Sequence, residues 1–367
     1  MNSWIDKRNN LQCKNLLFAQ KIFHFLETGQ SIFLEGEHGI KKANQGLKNS
    51  SIPSIFFRTG GSSGNAKWIM HNEESMNFAI GGLQEYLGEE QISSWCCLPL
   101  NHVGGIMQIW RARKTGGKVF FLNYRDLSKE SFVGIILNQW ISLVPTQLHH
   151  LIENSTACEN LRLFKGIFVG GASLSENLAH KCRKADLPIY PCYGMTETAG
   201  MVTMLDSNSF QSGMSGVGHP LSHAQLKINP DTMHIQVKAK SMCLNTFTKG
   251  DPKEQWLNTP DFGNQDRSGK WIIKGRSDRI IVTGAVKVNP LEIEKVLMGC
   301  STVGECYVHG IEDDKWGQKI IIFITPKRAD IEELKSYAKT HLKPFQVPKE
   351  WHLVDKLPLT AMGKPIV

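Results

Sequence analysis

Thr59-Gly60-Gly61-Ser62-Ser63-Gly64-Asn65-Ala66-Lys67 stands directly after an apolar, β-rich run at residues 52–58. A strand that runs out into glycines and hydroxyls gives a loop whose backbone N–H groups can point into one concavity. Lys67 adds a positive charge, and the combination suits a polyphosphate. Trp68 follows Lys67 where a Walker loop has Ser or Thr, so this is not that loop. Read alone, the segment is equally a plain Gly/Ser turn. Its surroundings decide the fold. Further β-rich runs at 95–98, 118–122, 141–144, 166–169 and 187–192 alternate with helical patterns. Asn72 is placed to cap a helix whose Met76, Ile80, Leu83 and Leu87 recur at helical spacing, and Ser175 opens another over 176–184. Strand and helix in alternation predict an α/β fold of sheets layered with helices.

Beyond Gly200 the pattern changes to Gly-rich loops and short strands at 225–228 and 234–237, without a clear helix. This stretch reads as a β-rich appendix to the first domain. A new unit begins at Gly275 to Asp278. It has a strand at 279–283, a helix with Pro290 in its first turn and Gly299 as its stop, strands at 305–309 and 319–325, and a helix around 331–341. The expected organisation is a large N-terminal domain, residues 1–275, and a small mobile C-terminal α+β domain, residues 276–367. A chain of 367 residues exceeds what one core usually holds.

Hydrophobic residues make up 41% and charged residues 21%, ordinary for a globular protein, so no fibrous or disordered class is needed. The net charge of +8 is dispersed, with no dense basic run interleaved with aromatics, and no nucleic-acid partner is expected. Nine cysteines are scattered without a Cys-x-x-Cys pair, which argues against both a disulfide framework and a zinc cluster. The N-terminus lacks the apolar stretch of a signal peptide, and no segment stays apolar for the roughly 20 residues of a membrane helix. The reading is a cytoplasmic protein without a membrane span.

Other segments carry chemistry. In Tyr193-Gly194-Met195-Thr196-Glu197, Thr196 can donate to a phosphate oxygen and Glu197 offers the hard oxygen that Mg²⁺ prefers. Gly170-Gly171-Ala172 ends another strand, where small residues let a flat ring approach the backbone; a helix-capping turn is the alternative. Asp261, in Thr259-Pro260-Asp261, is an acceptor suited to both hydroxyls of a ribose, and Arg276 can complete the grip; a surface ion pair is the alternative. Finally, Pro358-Leu359-Thr360-Ala361-Met362-Gly363-Lys364 puts one lysine beside a Gly hinge.

In this order the segments resemble those of the adenylate-forming superfamily, which includes acyl-CoA synthetases, adenylation domains and luciferases. Its Ser/Thr-Gly-Ser/Thr-Thr-Gly-x-Pro-Lys-Gly loop corresponds to Thr59 to Trp68, with Ala66 and Trp68 replacing Pro and Gly. Its Tyr-Gly-x-Thr-Glu is intact at Tyr193 to Glu197. Its Thr-Gly-Asp becomes Thr259-Pro260-Asp261, its Gly-Arg-x-Asp is Gly275 to Asp278, and its closing Pro-x-Thr-x-x-Gly-Lys is Pro358 to Lys364. The resemblance implies ATP binding by Thr59, Gly60, Gly61, Ser62, Ser63, Gly64, Lys67, Gly170, Gly171, Ala172, Tyr193, Gly194, Thr196, Asp261 and Arg276. It implies Mg²⁺ at Glu197, catalysis by Lys364 with Thr196, Glu197 and His102, a hinge at Asp278 and a CoA channel near Gly284. Gly284-Ala285-Val286-Lys287 departs from the commoner Gly-Gly-Glu-Asn, and fewer residues precede the phosphate loop than is usual in the superfamily.

Within the superfamily the chain is most similar to the o-succinylbenzoate–CoA ligase family of menaquinone and phylloquinone synthesis. The carrying residues are Pro99-Leu100-Asn101-His102-Val103-Gly104-Gly105, Trp110-Arg111 and Val144-Pro145-Thr146. By that resemblance His102, Gly104, Arg111 and Thr146 line the acid pocket, and the Arg111 fork would serve a substrate carboxylate. From the residues alone, Arg111 is equally a helix-surface charge and His102 a core histidine. The small-molecule partners expected are ATP, CoA and an aromatic carboxylic acid, and a homodimer is compatible with the pattern.

Overall fold

The computed structural model describes residues 13–36, 38–42, 52–59, 67–129, 132, 136–245, 250–326 and 329–357. Gly60, Gly61, Ser62, Ser63, Gly64 and Lys364, singled out above, lie outside the described residues.

After helix α1 (Cys13–Glu27), a first sheet contains β1 (Ile32–Glu35), β2 (Gly39–Lys42), β3 (Ser54–Thr59) and β4 (Lys67–Asn72) in the order β2-β1-β3-β4. Strands β3 and β4 are antiparallel with Thr59 opposite Lys67, so the described ends on either side of the stretch expected to bind phosphate are paired with each other. Strand β3 begins two residues later than the apolar run suggests, because Ile52 is half exposed and Pro53 intervenes.

The central sheet contains β5 (Ser94–Cys96), β6 (Val119–Phe121), β7 (Trp140–Leu143), β8 (Gly166–Val169), β9 (Ile189–Met195), β10 (Gly200–Met204) and β11 (His219–Pro220), in the order β11-β10-β9-β8-β7-β5-β6. From β6 to β9 it is parallel, and its strands are nearly continuous apolar runs buried on both faces. Helices α2 (Glu73–Leu87) and α3 (Val103–Thr115) share a core with α1 and the first sheet through Ile22, Phe57, Ile80, Ile106 and Ile109. Helices α4 (Pro145–Ile152), α5 (Ser155–Arg162) and α6 (Glu176–Lys184) belong to a second core around Trp95, Leu148, Leu161 and Ile167. The caps are those read from the sequence: Asn72 forms a reciprocal capping box with Ser75, and the Ser175 hydroxyl accepts from Leu178 N.

A short helix, α7 (Ser207–Gln211), corrects the expectation of none after Gly200; at five residues it is too short to display a period, and its start is held by Asp206 accepting from Ser209 N at 2.8 Å. The third sheet is an antiparallel meander of β12 (Ala224–Ile228), β13 (His234–Ala239), β14 (Leu257–Gln265) and β15 (Trp271–Arg276).

The fourth sheet contains β16 (Ile281–Thr283), β17 (Val286–Val288), β18 (Glu305–Asp313) and β19 (Gly317–Thr325), with β20 (Glu350–Leu353) parallel to β19. Helices α8 (Pro290–Leu297) and α9 (Ile331–His341) cover it over a separate core of Ile293, Leu297, Ile322 and Leu334. The strand expected at 279–283 is shorter than predicted, because Ser277–Arg279 forms a single 3₁₀ turn before it. His149 of α4 lies 3.9 Å from Glu305 of β18, so this unit touches the central one.

Candidate active site

In parallel sheets a ligand crevice forms beyond the carboxyl ends of the strands. Four of the expected segments stand there: His102 after β5, Val144-Pro145-Thr146 after β7, Gly170-Gly171-Ala172 after β8, and Tyr193 to Glu197 at the end of β9. His102 is the N-cap residue of α3 and Thr146 lies in the first turn of α4, both half-buried, and Gly104 sits in the first turn of α3. Gly170 packs so closely on β9 that an added Cβ would lie 2.8 Å from Cys192 Sγ. Gly194 is tighter still, with an added Cβ 1.9 Å from the carbonyl oxygen of Gly200. Only glycine fits at that crossing of β9 and β10.

Tyr193, Asp261, Arg276 and Asp278 form one connected network. Asp261, 4% exposed on β14, accepts from the Tyr193 hydroxyl at 2.7 Å and from Arg276 Nη1 at 3.1 Å. Arg276 turns its other edge to Asp278, donating from Nε at 2.9 Å and Nη2 at 2.6 Å. Burial and the Asp261 carboxylate push the Tyr193 phenol well above its ordinary range, so it remains a donor. Partial burial of Arg276 pulls its pKa down, but hydrogen bonding to Asp278 and the charges of Asp261 and Asp278 outweigh this and raise it. Asp261 and Arg276, one the expected ribose acceptor and the other its partner, are therefore brought together.

Arg111 is buried, which rejects the helix-surface reading. It is 3% exposed in α3 with its guanidinium 5.3 Å from the Phe168 ring centroid, and its Nη1 has no hydrogen-bond partner. No carboxylate pairs with it among the described residues; its polar neighbours are the thiols of Cys96 and Cys192, which burial pushes up to about 12 and keeps neutral. Burial also pulls Arg111 down, to about 10, which leaves it charged near neutrality. One turn earlier, Gln108 donates to Gly104 O at 2.9 Å while its buried Oε1 has no partner.

The sequence reading missed the supports of Thr196 and Glu197. His71, on β4, is fully buried and its Nε2 donates to the Thr196 carbonyl at 2.7 Å. Burial lowers its pKa to about 4, so it is neutral near pH 7. The backbone N–H of Cys243 reaches the Glu197 carbonyl at 2.8 Å, and the Ser241 hydroxyl reaches that of Thr198, also at 2.8 Å. The same segment then runs beside β4, where Asn245 accepts from Met70 N and donates to Trp68 O. Nothing in the sequence signals this clip, because it lies in a stretch read only as loop; adjacency of His71 to the Asn72 cap was the one available clue. Gly284, by contrast, belongs to the fourth sheet, in the turn between β16 and β17 at φ 55°, where Trp316 covers it.

A family model described as AMP-binding enzyme matches residues 19–240, and one described as AMP-binding enzyme C-terminal domain matches residues 292–364. The chain belongs to the AMP-binding enzyme family. A 2-succinylbenzoate–CoA ligase of Geobacillus sp. (strain WCH70) is 27% identical over 332 residues, which cover 85% of this chain and 67% of that one. Among solved structures, o-succinylbenzoate CoA synthetase from Bacillus subtilis in complex with the acyl-adenylate intermediate is 26% identical, with a TM-score of 0.71 over 85% of this chain and 67% of that one. A double mutant of the same synthetase, bound with its product analogue, matches at 26% identity with a TM-score of 0.55 over 85% of this chain and 68% of that one. The matches thus span about two thirds of each relative. Membership in this family agrees with the ordered motifs, and the large α/β unit followed by a smaller α+β unit is the architecture that the motifs imply.

Proposed function

We propose that this AMP-binding enzyme is an o-succinylbenzoate–CoA ligase: it activates the acid with ATP as an acyl-adenylate and passes the acyl group to CoA, releasing pyrophosphate and then AMP. One observation carries the choice of acid. Arg111 is a buried cation whose Nη1 has no hydrogen-bond partner, and among the described residues no carboxylate pairs with it. Such a group carries a desolvation cost that an anionic ligand relieves, and its planar fork matches a carboxylate that the reaction itself leaves untouched. The similarity to ligases of this name supports the same reading.

In the first step a carboxylate oxygen attacks the α-phosphorus of ATP and the bond to pyrophosphate breaks. In the second the CoA sulfur attacks the adenylate carbonyl, the thiol proton is lost, and AMP leaves. We assign Thr59, Lys67 and the Gly60, Gly61, Ser62, Ser63 and Gly64 stretch to the phosphates, Gly170, Gly171, Ala172, Tyr193 and Gly194 to the adenosine, and Asp261 with Arg276 to the ribose. Thr196 donates to a phosphate oxygen. His102, Gly104 and Thr146 wall the acid site. Glu197 is the residue for Mg²⁺: a half-buried carboxylate suits a cation that takes one or two protein oxygens with substrate phosphates, and no group of three or more His, Cys, Asp or Glu positioned to hold a metal is found among the described residues. When bound, Mg²⁺ offsets charge on the triphosphate. Lys364 stabilises the charge growing at the α-phosphate, and its withdrawal by motion of residues 276–367 about Asp278 brings the Gly284 turn to the site for CoA. The better superposition on the adenylate complex than on the product-analogue complex, at equal coverage, supports an arrangement suited to the first step.

No helix among the described residues is long and apolar enough to cross a membrane. Among the described residues the buried thiols of Cys96, Cys158, Cys182 and Cys300 are free, which suits a reducing compartment and supports a cytoplasmic location. ATP–pyrophosphate exchange over a panel of acids tests the function. Exchange is expected with o-succinylbenzoate and not with benzoate or fatty acids; preference for a monocarboxylate overturns the choice of acid.

A further inference from the structure

The expected catalytic pair Thr196–Glu197 sits in a 3₁₀ turn, Thr196–Thr198, followed by Ala199 at φ 54°, a conformation that non-glycine residues rarely adopt. A turn of this kind persists only when its surroundings hold it. Here the carbonyls of Thr196, Glu197 and Thr198 are each bonded from outside the turn, by His71, Cys243 N and Ser241 respectively. His71 is the side chain that joins this turn to β4, the strand leaving the phosphate loop.

The hydrogen-bond chemistry fixes which proton His71 carries. A carbonyl only accepts, so Nε2 bears the hydrogen toward Thr196 O. Nδ1 is then bare and faces Ser75 Oγ at 3.0 Å, whose hydroxyl can donate to it. Ser75 is itself locked into the capping box of α2. A chain of bonds therefore runs from the helix cap through the imidazole to the backbone that carries the Glu197 carboxylate.

We propose that His71 is a positioning residue for adenylation: as the neutral Nε2–H tautomer it anchors the Thr196–Glu197 turn to the strand leaving the phosphate loop, so that both hold one geometry toward the triphosphate. This rests on the ligase reading above. His71 touches no substrate, and its effect passes through the Thr196 carbonyl.

The test compares His71→Leu, which removes the donor, with His71→Gln, whose amide nitrogen can donate from nearly the same place. His71→Leu is expected to lower the maximal rate of ATP–pyrophosphate exchange by about 10–100-fold, the usual cost of losing an outer support of a metal ligand, with KM for the acid unchanged. His71→Gln should recover to within about threefold of wild type. Calorimetric titration of ATP with and without Mg²⁺ gives a second readout: wild type and His71→Gln gain affinity on adding Mg²⁺, and His71→Leu loses most of that gain. If His71→Leu does not fold, Ser241→Ala, which frees the neighbouring Thr198 carbonyl, should lower exchange by about 3–10-fold. Equal rates for His71→Gln and His71→Leu, or wild-type exchange and wild-type Mg²⁺ gain in soluble His71→Leu, overturn the proposal. A wild-type enzyme silent in exchange overturns the ligase reading instead, and the calorimetry still decides the role of His71.

Discussion

On the proposed assignment one arginine serves the nucleotide and another the acid, and the fold treats the two in opposite ways. Arg276, assigned above to the nucleotide end, is 44% exposed at its side chain and bonded to both Asp261 and Asp278. Arg111, assigned above to the acid end, is buried beside a face of Phe168 and two neutral thiols. The nucleotide end is satisfied before any ligand arrives, so a ribose has to exchange bonds there and gains only their difference. At the acid end a bond can be gained outright. On this comparison the nucleotide end contributes geometry, and the acid end contributes selectivity.

The sharpest way to break the comparison is Arg111→Met. It should cost about 100-fold or more in kcat/KM for o-succinylbenzoate, about 3 kcal/mol, as expected when one side of a buried charge pair is truncated. KM for ATP should not change, and the ligand-free protein should melt at the same or a higher temperature, because the variant no longer buries an unpaired charge. Steady-state kinetics with each substrate varied in turn and a thermal melt check both; a matching rise in KM for ATP would erase the distinction between the two ends.

Asp261→Asn is the counterpart. Its amide keeps an acceptor for Tyr193 but gives up the charge facing Arg276, so KM for ATP should rise by about tenfold while the preference among acids is retained. Weakest of all should be Tyr193→Phe, with about a three- to fivefold rise in KM for ATP. The same phenol sets a pH dependence. Its folded pKa lies above its unfolded value, so the stability it contributes is fully present below about pH 10 and is lost as pH rises beyond it. Denaturant unfolding from pH 8 to 11 should therefore fall above pH 10 in wild type and fall less steeply in Tyr193→Phe.

How far these ends could be read from the sequence differs for physical reasons. Gly166–Val169 and Glu176–Lys184 appear where the sequence puts them, because local patterning and a side-chain cap determine such elements. The association of Asp261 with Arg276 was legible from residue chemistry, an acceptor and a cation suited to one ribose, whereas the hairpin that sets them opposite each other was not read from the sequence. The burial of Arg111 was not decided by its surroundings in the chain, where Trp110-Arg111-Ala112-Arg113 reads as a mixed helix face; Arg113 turns outward to Glu27 and Arg111 inward to the sheet. Tertiary packing made that choice. The bond from His71 to Thr196 and the clip at Ser241 and Asn245 join segments far apart in sequence, through backbone carbonyls that carry no residue-specific signal.

The contact between Gly170 and Cys192 has a use in redesign. Two of the three atoms that an added methyl would meet there belong to the backbone of Cys192, but the nearest is its sulfur, at 2.8 Å. A methyl added at position 170 alone would have to displace that sulfur and press on the Cys192 carbonyl oxygen at 3.2 Å. Pairing Gly170→Ala with Cys192→Ala removes the sulfur and moves bulk from one strand to its neighbour, which would give the proposed adenosine site a different contour.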